Sequence, residues 1–68
     1  MTTFFEASQA RLAIKMKIIN YAWYKSTSVI NDDDGFAVLV GVKILNNTVR
    51  KAIPRIHNGV VIRTAVET

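Results

Sequence analysis

The sequence predicts an α+β domain in two layers, with an N-terminal helix packed on a three-stranded β-sheet. Three observations carry that prediction. An S/T-x-x-E signal, Thr3 to Glu6, opens a stretch dense in strong helix formers. The longest apolar run, residues 36–42, alternates large and small side chains as a strand does. A Val-rich alternating segment follows the turn dipeptide Asn58-Gly59 near the C-terminus. With 68 residues the chain has room for one domain, and half of its residues are hydrophobic, which opposes disorder.

Residues 3–23 read as the helix. Thr3 and Glu6 form a capping box, each side chain satisfying a backbone N–H of the other. At 100° per residue, Ala7, Ala10, Ile14, Ile18 and Tyr21 share one stripe. Phe5, Leu12, Met16, Ile19 and Trp23 share a second, nearly opposite one. Two stripes predict a helix that rests on its own sheet by one side and on something else by the other. A competing pattern exists: residues 11–18 alternate polar and apolar with period two. Read as a strand, that segment makes the protein a small five-stranded β-barrel instead.

Residues 24–30 form a weak Ser- and Thr-rich strand, and residues 31–35 a turn in which Asn and Asp bond their own backbone and Gly35 supplies positive φ. Residues 36–44 form the strongest strand. Phe36, Val38, Val40, Val42 and Ile44 are expected to face the helix; Ala37, Leu39, Gly41 and Lys43 face solvent or a partner. The two strands make a hairpin. Residues 45–59 are expected to be an irregular connection, with one helical turn capped by Thr48 and stopped by Pro54. Residues 60–67 form the last strand. The connection offers Val49, Ile53 and Ile56 as an alternative cover for the second helix stripe.

Several function classes are disfavoured by composition. Without cysteine there is neither a disulfide framework nor a cysteine-based zinc site. No apolar run approaches the roughly 20 residues of a membrane helix, and the N-terminus lacks a basic n-region, so a cytoplasmic protein with no membrane partner is expected. One His, five carboxylates and no phosphate-cradling glycine motif give no recognisable catalytic group, so the expectation is a non-enzyme without cofactor. Asp32-Asp33-Asp34-Gly35 lacks the alternating acidic positions of a calcium loop, and no metal site is expected.

The expected activity is therefore binding. Nine Lys and Arg stand against five Asp and Glu, a formal charge of +4, and residues 35–66 hold five cations and no acid. Arg50, Lys51 and Arg55, with His57, are candidates for a basic patch that meets an acidic partner or, as the alternative function, nucleic-acid phosphates. The second stripe is the candidate protein interface, through which the chain self-associates as a homo-oligomer or docks on a larger protein.

Overall fold

A computed structural model of the chain describes residues 2–33 and 35–67. Helix α1 spans Phe4–Ile18 and is closed at its start by the expected capping box. Thr3 N–H donates to Glu6 Oε1 at 3.0 Å, and Glu6 N–H donates to Thr3 Oγ1 at 3.1 Å. Ala7, Ala10, Ile14 and Ile18 are buried, so the first stripe is the one that meets the sheet.

The helix stops at Ile18 instead of running to residue 23. Two consecutive β-branched residues and Asn20 hold little helix propensity, and the chain must reverse to enter the sheet. Tyr21 N–H donates to Ile18 O at 3.0 Å, and Lys43 N–H donates to Trp23 O at 2.8 Å. Trp23 is thereby tied to the exit of the second strand. Tyr21, expected on the buried stripe, is exposed and stacks on Trp23 with ring centroids 4.8 Å apart.

Strand β1 is Tyr24–Asp32 and β2 is Gly35–Val42; they pair antiparallel as the expected hairpin, from Ser26↔Gly41 to Asp32↔Gly35. Tyr24 and Ser26 oppose the adjacent residues Val42 and Gly41, which leaves Lys25 as an extra residue in the ladder. The expected turn over 31–35 is shorter, since Asn31, Asp32 and Gly35 belong to the paired strands; Gly35 opens β2 at φ 118°, a positive value that suits glycine. Asp34, third of the acidic triplet, lies outside the described residues.

The connection is more ordered than its sequence predicts. Helix α2, Asn47–Ala52, is capped by Asn46, whose Oδ1 accepts Val49 N–H at 3.0 Å, so Thr48 is not the cap. Ile53 is extended at φ −107° and ψ 114°, as a residue before proline must be, and the helix ends there. Strand β3, Ile56–His57, then turns through Asn58 at φ 49° and Gly59 at φ 81° into β4, Val60–Val66. Two positive φ values in a two-residue loop are the geometry that matches the twist of paired strands.

The sheet therefore has four strands, ordered β1-β2-β4-β3, where three were expected. Two residues carry no periodicity, so β3 left no strand signal. β2 and β4 run parallel, with α2 in the crossover that parallel neighbours require. The barrel alternative fails on the same facts: residues 11–18 are helical, and the sheet ends in two open edges.

Val38, Val40 and Val42 at the centre of β2 are fully buried beneath α1, joined by Val60 and Ile62 of β4. Ile44, expected on this face, lies past the strand end and is exposed. Among the described residues the opposite face carries no second layer, yet Ala37 and Gly41, expected to meet solvent or a partner there, are buried. Two polar bridges cross it from β1 to β4. Ser26 Oγ donates to Glu67 Oε1 at 2.9 Å, and Arg63 NH2 reaches Asp32 Oδ2 at 2.8 Å. Flanking strands lie about 9.6 Å apart across a central one, and small residues on β2 leave room for side chains to span that gap. The Glu67 carboxyl occupies the space a Cβ on Gly41 would take.

Candidate functional site

Two surfaces and one minor cleft hold the residues that the sequence singles out. The first surface is the outer face of α1. Once the helix has laid Ala7, Ala10, Ile14 and Ile18 on the sheet, the second stripe points away from it. Phe5 is 71% exposed, Leu12 51%, Met16 69% and Ile19 44%. Trp23 departs from this group, since it follows the helix end and packs against the core. The connection does not cover the stripe. Val49 and Ile53 are buried in the main core cluster, and Ile56 is exposed.

Phe5, Leu12, Met16 and Ile19 are separated by seven, four and three residues. That is the 3.5-residue repeat of a seam between two helices, with Gln9 at the one polar position of the series. Glu6 stands in the first turn and Lys15 and Lys17 in the last. The flanks of the face thus carry opposite charges at the two ends of the helix, with Glu6 and Lys17 on the same flank. The Thr3 backbone N–H, and after it the Thr3 side chain, hold the Glu6 carboxyl below its ordinary pKa, and its anion also suits the helix N-terminus.

The second surface is a cleft of about 510 Å³ between β4 and the α2 segment. Arg50 and Lys51 reach it from α2, and Arg55 from the loop behind Pro54. Leu45, Ile53 and Val61 give it an apolar lining. Three of the four residues proposed for a basic patch therefore converge. Arg63 joins them, a member that the sequence reading missed. Its outward-facing parity in the last strand was legible, but its nearness to α2 depends on the strand order.

Arg63 is not idle there. Its Nε and NH2 both donate to Asp32 Oδ2, at 3.1 and 2.8 Å. The guanidinium, with a bond from Asp33 N–H, holds the Asp32 carboxyl below its usual range, and Asp32 in turn raises the pKa of Arg63. Arg50, Lys51 and Arg55 make no ion pair among the described residues.

His57 does not share this cleft. It lines a smaller one of about 300 Å³ on the other side of the hairpin, beside Phe5, Gln9 and Val60. His57 therefore borders the helix face instead of the cations. No group of three His, Asp or Glu side chains gathers among the described residues, and no polar or charged residue among them is buried. No described helix is long and apolar enough to cross a membrane.

No protein-family model, curated protein or solved structure matches this chain.

Proposed function

We propose that this chain is a non-enzymatic assembly module, which pairs with a second copy of itself through the outer face of α1. The observation that carries the reading is the exposure of Phe5, Leu12, Met16 and Ile19 in one helical seam. Apolar patches of this kind mark interfaces in proteins that otherwise cover such surface. The charge order along the helix selects the partner and the arrangement. Of the two helix arrangements a two-fold axis allows, the antiparallel one brings Glu6 of each copy towards Lys17 of the other, which shares its flank of the stripe.

Size sets the strength. Fifteen residues make a helix of roughly 22 Å, and one such face buries less than the about 800 Å² per partner of a standard interface. The dimer is accordingly expected to dissociate in the micromolar range. Sedimentation velocity between 1 and 300 μM, about two decades around that value, should show a concentration-dependent rise towards twice the monomer mass. Leu12→Glu, exposed in the free chain, should leave the fold intact and hold the protein monomeric. A wild-type chain that stays monomeric at the top concentration overturns the reading.

The basic cleft supports a role for an acidic partner alongside assembly, because none of its lining residues belongs to α1. Nucleic acid is the less favoured partner: no aromatic side chain lines the cleft to stack on a base.

A further inference from the structure

We propose that the basic cleft binds an extended acidic peptide, which adds to the sheet as a strand along the open edge of β4. Part of the backbone of β4 has no strand beside it. On the side away from β2, β3 covers only Val60 and Val61, through His57 and Ile56. One more bond follows, from Ile62 N–H to Arg55 O at 2.8 Å. There the ladder stops.

Backbone groups alternate sides along a strand. Glu67 N–H goes to Val42 O on β2, whereas Ile62 N–H goes to the opposite side. Residues an even number of steps from Ile62, namely Thr64 and Val66, therefore direct their backbone polar groups outward from the sheet. Among the described residues neither has a pairing partner on that side. The protein's own chain does not prolong the ladder: Ile53, next in register opposite Thr64, donates its N–H to Val49 O of α2 at 3.1 Å. Edges left open are usually blunted by charge, a bulge or a covering loop; here Thr64 opens directly into the cleft.

Charge identifies what fits. Arg50, Lys51 and Arg55 line the same cleft with no carboxylate paired to them among the described residues, while Arg63 is already engaged by Asp32. An incoming strand places alternate side chains on opposite faces. One set then meets these cations, and the other meets the apolar lining of Leu45, Ile53 and Val61. Main-chain bonds to the edge supply affinity and the alternating side chains supply selectivity, as in other strand-addition complexes. A nucleic acid uses the cations but has no peptide groups to complete the ladder. The cleft lies on different residues from the α1 face, so this proposal stands whether or not the chain dimerises.

The test uses N-acetylated, amidated (Glu-Val)4 titrated into the full-length, isotope-labelled protein and followed by amide NMR. Binding is expected to slow hydrogen exchange at Thr64 and Val66 and to shift the amides of Arg55 and Ile62. The same peptide with every backbone nitrogen N-methylated should bind at least tenfold more weakly, because no donor remains on either of its edges. Arg50→Glu/Lys51→Glu/Arg55→Glu, checked for its fold by circular dichroism, should lose a similar factor. Octathymidylate serves as the nucleic-acid control and should leave exchange at Thr64 unchanged. Equal binding of both peptides, shifts confined to other parts of the chain, or tighter binding of the oligonucleotide with no binding of (Glu-Val)4 would each overturn the proposal. The N-methyl comparison needs no protein variant, so a triple variant that failed to fold would not obscure the result.

Discussion

Gly41 is where a single residue has the widest structural effect. Its missing side chain lets the Glu67 carboxyl lie over β2 and accept from Ser26 on the far strand. Gly41→Ala should push that carboxyl aside, a cheap movement for a flexible side chain, and break the bridge. Ser26→Ala is then expected to cost about 0.5–1.5 kcal/mol in the native chain and less on the Gly41→Ala background. A double-mutant cycle by urea denaturation measures that coupling. Two other carboxylates set the acid response. The folded pKa values of Glu6 and Asp32 are both lowered, so each group stabilises the fold fully above its unfolded value, about 4.3 for Glu and about 3.9 for Asp. That contribution is lost as pH falls through the lower folded values. Glu6→Gln/Asp32→Asn should flatten the acid limb of Tm against pH, with little change in its slope at neutral pH.

At the scale of elements, α1 has two faces of opposite energetic weight. Ile14→Ala removes a fully buried side chain beneath which Val38 and Val40 pack, and should cost about 2–5 kcal/mol. Met16→Ala, two residues on and on the exposed face, should change the stability of the monomer by no more than about 0.5 kcal/mol. Chemical denaturation at low protein concentration separates the two. Thr3→Ala should cost about 1 kcal/mol by opening the capping box. These elements were legible in the sequence to different degrees. The capping box, the buried stripe Ala7, Ala10, Ile14 and Ile18, and the hairpin of β1 with β2 follow from local chemistry and periodicity. The end of α1 does not: residues 19–23 satisfy a helical pattern, but their backbone is taken by the chain reversal and by Lys43.

For the whole molecule the governing quantity is the surface a short chain leaves uncovered. A domain near 60 residues buries only about 60% of the surface its unfolded chain exposes, and this one closes its core with α1 and the six-residue α2 alone. Much of the residual apolar area lies along α1, at Phe5, Leu12 and Met16, with Ile44, Ile56 and Val66 exposed elsewhere. If two copies share it, binding adds to folding, and Tm should rise with protein concentration by mass action. Calorimetric scans over a hundredfold concentration range would show a rise for the native chain and none for Leu12→Glu. The net charge of +4 is also unevenly displayed. Three of the cations unpaired among the described residues gather on one cleft at the edge of the sheet.

The sequence by itself determined which residues are helical at the start, which valines form the core strand, and that a second apolar stripe and a set of basic residues were in surplus. These are consequences of period, capping and turn chemistry, all of which act over a few residues. Only the tertiary structure decided that β4 lies parallel to β2, that β3 exists, and that Arg63 rather than His57 stands with Arg50, Lys51 and Arg55. Strand order brings together residues far apart in the chain, and it is set by how the helix, the crossover and the hairpin share one buried face. A two-residue strand such as Ile56–His57 leaves no periodic trace; it exists because the Asn58-Gly59 turn folds it against Val60 and Val61.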